Sequence, residues 1–344
     1  MGKRYSYISL IAAVSCLAVV ILHANGCFWS FSTEWYWKIA NVIECLAYFA
    51  VPCFFMISGA TLMDFRERYS LKQYFLKRIQ KTVIPFVFWS FAGLAYQILV
   101  AKTVRKADLG VLFVYNGIAR TSFTGIYWFF VTLFGVYLCI PLFAAVQKEA
   151  RKEIFTYVAI AGFIINSVIP FLIRLTGKEI AWPISLQVAS GALLYIPTGY
   201  LLHEYEISRK VRIVLYSLAA VGLLTHFAGT YALSVKAGGI VETFKGYYNV
   251  PCVLYAVGIF TFFRCNGEKI MRFAPVQKAV TLISGYSFAI YLMHWYLLDL
   301  LRRVFDIDTK LMAYRIGAPI LVVAICMGIT FVLQKIPFVK RIVP

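Results

Sequence analysis

The amino-acid sequence predicts an all-α polytopic membrane protein, and three observations lead to that prediction. Of the 344 residues, 61% are hydrophobic and 14% are charged, whereas soluble domains average about 45–50% apolar and about 25% charged residues. The apolar residues fall in long runs between short basic clusters, as in chains that cross hydrocarbon. The runs lack the alternation of barrel strands, so they predict helices. An ordinary soluble enzyme is excluded.

About ten transmembrane helices are expected, because ten apolar runs approach or exceed the length that crosses about 30 Å. The sixth and eighth runs are short and contain Gly and Pro, so they are the weakest of the set. No soluble domain is indicated, and residues 1–344 are expected to form one membrane domain. The runs are 7–23, 39–62, 82–101, 126–146, 154–173, 186–202, 211–233, 248–263, 280–301 and 312–333.

The placement of the basic residues predicts that both termini are cytoplasmic. A formal net charge of +19 would suggest a nucleic-acid partner in a soluble protein. Here Lys and Arg instead favour one set of loops, together with Lys3 and Arg4, by about two to one. Lys245 and Arg315 fall on the opposite side, where loop charges are expected to be solvated. An acidic cell-wall polymer is the alternative partner for those charges.

No metal site is expected from the cysteines. All eight are scattered through the chain without a CxxC pair, which indicates neither a zinc site nor a disulfide framework. The sequence also contains no glycine-rich phosphate loop. Any chemistry must therefore come from the helix bundle and its loops.

Polar residues near the outer ends of several runs are candidate site residues, because ionisable groups inside a membrane are costly and usually functional. Each has a structural alternative: an interfacial or core histidine, an aromatic belt, or the exit point of a helix. Glu44 is the hardest to dismiss, because a carboxylate below the interface needs a partner. The candidates are His23, Glu44, Tyr127, Trp128, His226, His294 and Asp299.

A basic amphipathic segment covers residues 69–81. Its apolar residues recur at helical spacing, while Lys72, Lys77, Arg78 and Lys81 fall mostly on the other face. An interfacial helix lying on anionic lipid would have this pattern. The alternative is a binding platform for the phosphates of a nucleotide-like cofactor, because clustered Lys and Arg suit phosphate groups.

Five segments in order resemble the acyltransferase-3 family of integral membrane acyltransferases. They run from the first helix to the ninth run and include the family's FFxxSG pattern at 54–59. The last resembles the family's closing S-x-x-x-F-x-I-Y-L-x-H element. The segments are AVVILHANG (18–26), AVPCFFMISGATL (50–62), FLKRIQKTVIPFVFW (75–89), YWFFVTLFGVYLCIPLF (127–143) and SGYSFAIYLMHWYLL (284–298).

The resemblance implies acyl transfer from cytoplasmic acyl-CoA, without a tightly bound cofactor, to a hydroxyl of an extracytoplasmic acceptor such as a cell-surface glycan. Acetyl is the expected acyl group and a bacterial plasma membrane the expected location. The family's first-helix histidine corresponds to His23, the candidate general base, which Glu44 would orient. Lys77, Arg78 and Lys81 are the candidates for the cofactor phosphates. Candidates for contacts to substrate or transition state are Ser58, Tyr127, Trp128, His294 and Asp299.

The sequence departs from the family at one position and leaves a second function open. The family usually has an arginine eleven residues before its histidine, where this chain has Ala12. An inactive relative is therefore an alternative. The chain is also similar to the membrane domain of the serine racemases of vancomycin-resistant bacteria, which is associated with serine uptake. Gly191, Pro197 and Gly199 in the sixth run would suit a transporter, whose helices are often broken.

Overall fold

The computed structural model describes residues 5–337 and 339–343, so Lys3 and Arg4 lie outside the described residues. All regular secondary structure in the described part of the chain is helical, as predicted. The α-helices are α1 (Ser6–Ala24), α2 (Trp35–Ala47), α3 (Ala50–Leu62), α4 (Leu71–Arg78), α5 (Ile84–Tyr96), α6 (Val111–Ala119), α7 (Trp128–Phe143), α8 (Lys148–Phe163), α9 (Ile169–Leu175), α10 (Tyr195–Glu204), α11 (Arg209–Ala237), α12 (Val250–Ile270), α13 (Ala274–Phe305) and α14 (Met312–Leu333).

Eight helical stretches in the described residues are long and apolar enough to cross a membrane. The ninth predicted run lies inside α13, a 32-residue helix that these eight do not include. The sixth run forms two 3₁₀ turns and then α10, whose ten residues span only about 15 Å. A multi-pass helical bundle is therefore confirmed, while ten spans and cytoplasmic termini stay predictions.

Two long helices each contain a π-helical turn just before a proline. Ile79–Val83 joins α4 to α5, where Pro85 follows, and Ile164–Val168 joins α8 to α9, where Pro170 follows. Proline has no N–H and its ring clashes with the preceding turn, so a helix that continues through it must adjust locally. The wider turns supply that adjustment without ending the helix.

Helix α1 lies at the centre of the bundle and packs against α2, α3, α12, α13 and α14. It runs parallel to α13. The thiol of Cys16 contacts the carbonyl oxygen of Ser287 at 3.7 Å, and seven residues further along each helix the His23 and His294 rings meet. The α1–α13 pair therefore brings two histidines together that are 271 positions apart in the chain.

Two glycines allow α3 and α10 to approach closely. A Cβ on Gly59 would lie 2.1 Å from the carbonyl oxygen of Ile196, and one on Gly199 would lie 2.1 Å from that of Met56. Backbone atoms cannot move aside as a flexible side chain could. The glycine of the FFxxSG pattern thus has a packing role, because it permits this contact.

We expect Gly199→Ala to destabilise the folded protein by about 1–3 kcal/mol, the usual cost of overpacking. The midpoint of thermal unfolding in detergent measures the effect. Gly135→Ala is the matched control, because no atom lies within 4 Å of the Cβ that it adds to α7. Equal midpoints for the two variants would show that α3 and α10 are not in this close contact.

Candidate functional site

Two cavities meet inside the bundle. The Ala12 cavity, of about 240 Å³, is lined from α1, α3, α7 and α13, with Thr82 at one end and His294 at the other. The His23 cavity, of about 230 Å³, is lined by His23, Glu44 and several aromatic residues. Four residues belong to both walls, so the cavities share a boundary: Val19, Val51, Phe129 and Tyr291.

The Ala12 cavity extends along much of α1. Ala12 precedes His23 by eleven residues, which at about 1.5 Å per residue places it about 16 Å away along the helix axis. Ser58 on α3 and Tyr137 on α7 line the same end as Ala12. The two cavities together therefore follow α1 from its N-terminal half to its C-terminal end. The two histidines lie where the cavities meet.

His294 is held in one tautomer. Its Nδ1 lies 3.0 Å from the carbonyl oxygen of Ile290, one turn earlier on α13. A carbonyl oxygen only accepts hydrogen bonds, so Nδ1 carries the hydrogen and Nε2 keeps its lone pair. Nε2 is buried and has no partner within the described residues. An unpaired imidazole nitrogen of this kind, beside a cavity, can accept a proton or a hydrogen bond.

His23 lies beside His294, with ring centroids 5.1 Å apart and ring planes inclined by 39°. It lines the His23 cavity, whereas His294 lines the Ala12 cavity. The pair therefore presents one imidazole to each cavity. The sequence places these two residues at a similar depth, and the structure brings them into contact.

Glu44 pairs with Lys245. Its Oε1 accepts a hydrogen bond from Lys245 Nζ at 2.6 Å, and its Oε2 lies 3.4 Å from Asn25 Nδ2. No hydrogen bond joins Glu44 to His23 in the described part of the chain. The expectation that Glu44 needs a partner is met by a residue 201 positions away.

The expectation of a solvated Lys245 is wrong. Its ammonium group is fully buried and lies over three aromatic rings, 4.7 Å from the centroid of Phe28, 5.1 Å from Trp29 and 3.8 Å from Tyr48. The Glu44 carboxylate and the three ring faces replace the interactions with water that the ammonium group loses on burial. Arg315, also expected to be solvated, is buried as well and donates to the carbonyl oxygens of Tyr36 and Lys310.

Aromatic rings form one wall of the His23 cavity. Tyr247 stacks on Tyr48 with centroids 4.3 Å apart and on Trp128 with centroids 5.5 Å apart. Tyr247 follows Lys245 by two residues, so the buried ion pair also fixes the loop that supplies this ring. Sequence reasoning missed Tyr247 and Lys245, because neither belongs to a motif.

Three of the candidates for contacts to substrate or transition state carry hydrogen-bond donors, and the structure places them differently. Trp128 lines the His23 cavity, and its indole N–H has no partner in the described residues. Ser58 lines the Ala12 cavity but donates to the carbonyl oxygen of Phe54 at 3.2 Å. Tyr127 is buried outside both walls, where its hydroxyl donates to the Leu292 carbonyl oxygen. Of these three donors, the Trp128 N–H is therefore the one that does not already donate to a carbonyl oxygen of the described residues.

Asp299 and His226 lie outside both cavity walls. Asp299 accepts hydrogen bonds from Arg302, Arg303 and Tyr96 near the end of α13. His226 is buried, with its ring against Tyr48, and neither of its nitrogens has a partner in the described residues. These contacts fit structural roles for both residues.

Of the three basic candidates, only Arg78 contacts a cavity wall. Its guanidinium lies over the rings of Tyr74 and Tyr137, at 5.7 and 5.3 Å, and Tyr137 lines the Ala12 cavity. Lys77 lies over the ring of Tyr69, and Lys81 is exposed. Arg78 therefore stands beside the cavity at the end opposite the histidines, while Ala12 leaves the adjacent wall of α1 uncharged.

Comparison with known proteins gives one match. A family model described as an acyltransferase domain matches residues 5–333, nearly the whole chain. No curated protein and no solved structure matches it.

Proposed function

This chain belongs to the acyltransferase-3 family, and from that premise we propose that it moves an acyl group from cytoplasmic acyl-CoA to a hydroxyl of an extracytoplasmic acceptor. A cell-surface glycan is the proposed acceptor, and acetyl is the proposed acyl group. The bacterial plasma membrane is the proposed location. The observation that supports this most is the meeting of two cavities at His23 and His294.

The Ala12 cavity suits the donor and the His23 cavity the acceptor. The thioester arm would enter beside Arg78, whose guanidinium can bind phosphate oxygens of the nucleotide. Acyl-CoA is thus a co-substrate rather than a bound cofactor. The acceptor would enter the His23 cavity, where the rings of Trp128 and Tyr247 offer flat apolar faces beside a hydroxyl-bearing ligand.

The reaction needs a base, because a hydroxyl is a poor nucleophile at neutral pH. His23, on the acceptor side, takes the hydroxyl proton as the oxygen bonds to the thioester carbonyl carbon. The carbon–sulfur bond then breaks, and the proton passes from His23 to the departing CoA sulfur. The Trp128 N–H is the proposed donor to the oxyanion. His294, whose ring packs beside that of His23, positions the imidazole of His23.

Replacing Arg78 with alanine is expected to weaken acetyl-CoA binding by about tenfold or more, because a charged hydrogen bond contributes about 1.5–3 kcal/mol. Displacement of radiolabelled CoA from the purified protein measures the change. Lys77→Ala is the matched control on the next residue, since Lys77 contacts Tyr69 rather than the cavity wall. Equal losses in both variants would favour a general effect of basic charge at the membrane surface.

A transporter is the second candidate, and one observation favours it. The sixth apolar run is broken into 3₁₀ turns before α10, and Gly191 has a positive φ of 56°. Broken helices bind substrates in many transporters. Uptake of labelled serine into vesicles containing the purified protein would support this alternative.

A further inference from the structure

Four of the five hydroxyl groups in the wall of the Ala12 cavity already donate to backbone oxygens. Ser58 donates to Phe54, Thr82 to Arg78 at 2.6 Å, and Ser287 to Ser284 at 3.0 Å. Tyr291 donates to Ile126. These four oxygens can accept a further hydrogen bond, but their hydrogens already form hydrogen bonds. The fifth hydroxyl belongs to Tyr137, at the end of the cavity where the Arg78 guanidinium lies 5.3 Å from the Tyr137 ring centroid.

No Asp, Glu, Lys or Arg is among the described residues that line this cavity. Among the buried side-chain nitrogens and oxygens that lack a partner in the described residues, His294 Nε2 lies in this wall and presents a lone pair. The rest of the surface comes largely from alkyl and aromatic groups, with Ala12 and Cys16 leaving space along α1. Away from the Tyr137 end, an anionic group inside would find neither a cation nor a free hydroxyl hydrogen. A buried unpaired carboxylate is costly.

We propose that the Ala12 cavity binds the alkyl part of the donor's acyl group, and that it admits uncharged acyl groups while excluding those that end in a carboxylate. The inference rests on the proposed function, because it assumes that the acyl group crosses this cavity to reach the histidines. Alkanoyl groups from acetyl to pentanoyl belong to the accepted class, and succinyl belongs to the excluded class.

The size of the cavity supports groups larger than acetyl. Its volume is about 240 Å³, whereas an engineered apolar cavity of about 150 Å³ binds benzene. Each methylene transferred from water into such a surface strengthens binding by about threefold to fourfold. Affinity is therefore expected to rise along the series acetyl, propanoyl, butanoyl and pentanoyl.

Displacement of radiolabelled CoA from the purified protein by these acyl-CoA thioesters tests the proposal. We expect about threefold tighter binding per added methylene. Succinyl-CoA, similar in length to pentanoyl-CoA, should bind at least about 30-fold more weakly than pentanoyl-CoA and no more tightly than CoA itself. Equal affinities of the succinyl and pentanoyl thioesters would overturn the inference while leaving a CoA site intact.

Filling the Ala12 cavity with a larger side chain should abolish the increase in affinity with acyl chain length. Cys16→Leu adds volume inside the Ala12 cavity, so affinity should no longer rise beyond acetyl-CoA. Cys139→Leu is the matched control, because Cys139 lines a separate groove beside α7 and α8. An unchanged series in Cys16→Leu would contradict the proposed location, and the comparison of thioesters on the parent protein decides the proposal if that variant does not fold. If CoA itself fails to bind the parent, the proposed function fails as well.

Discussion

Replacing His23 with alanine is expected to reduce acyl transfer by about 10²–10⁴-fold, the usual contribution of a general base. His23 lines the cavity assigned to the acceptor and makes no hydrogen bond in the described part of the chain, so its loss should leave the bundle folded. The measurement is mass spectrometry of base-labile acyl groups on the surface glycans of cells that express each variant.

His203→Gln is the control for this experiment. His203 contacts Tyr7 and Tyr5 at the Ser6 end of α1, away from both cavities, so the variant should keep its activity. His294→Gln should lower transfer less than His23→Ala does, because His294 is proposed to act through His23. Surface acylation that persists in a folded His23→Ala variant would remove His23 from the mechanism.

Replacing Lys245 with methionine is expected to destabilise the protein by about 3–5 kcal/mol, because it leaves the Glu44 carboxylate buried without a counter-charge. Glu44→Gln should be destabilising for the reciprocal reason. The fraction of protein that remains monodisperse after heating in detergent, followed by size-exclusion chromatography, measures the loss.

The double variant Glu44→Gln, Lys245→Met separates a structural role from a catalytic one. Removing both charges should restore most of the stability, since no uncompensated charge remains. We expect the double variant to retain acyl transfer within about tenfold of the parent, because Glu44 contacts Lys245 and Asn25 rather than His23. A double variant that is stable but lacks acyl transfer would contradict the structural role and would support Glu44 as the residue that orients the base.

The sequence predicts the helical membrane fold and the family because both depend on local patterns. Apolar runs require no knowledge of which helices are neighbours, and the five motifs are contiguous segments. The sixth run shows the limit. Its length and composition resemble a span, yet Gly191 and the residues around it form 3₁₀ turns, leaving only α10 as a regular helix.

The site is less predictable, because its contacts join distant parts of the chain. The sequence indicates that Glu44 needs a partner, but Lys245 lies in a loop and has the composition of a solvated charge. Only tertiary packing places its ammonium among Phe28, Trp29 and Tyr48. The sequence shows that position 12 is uncharged. It does not show that hydroxyl groups around this position donate their hydrogens to backbone oxygens.

Titration calorimetry of acetyl-CoA with the detergent-purified protein tests whether the protein has a binding site for the proposed acyl donor. We expect saturable binding below about 1 mM that weakens in Arg78→Ala and persists in His23→Ala, because Arg78 is proposed to bind the donor and His23 to act on the acceptor. An absence of binding at millimolar acetyl-CoA would contradict an acyl-CoA transferase, and serine uptake would then be the activity to measure.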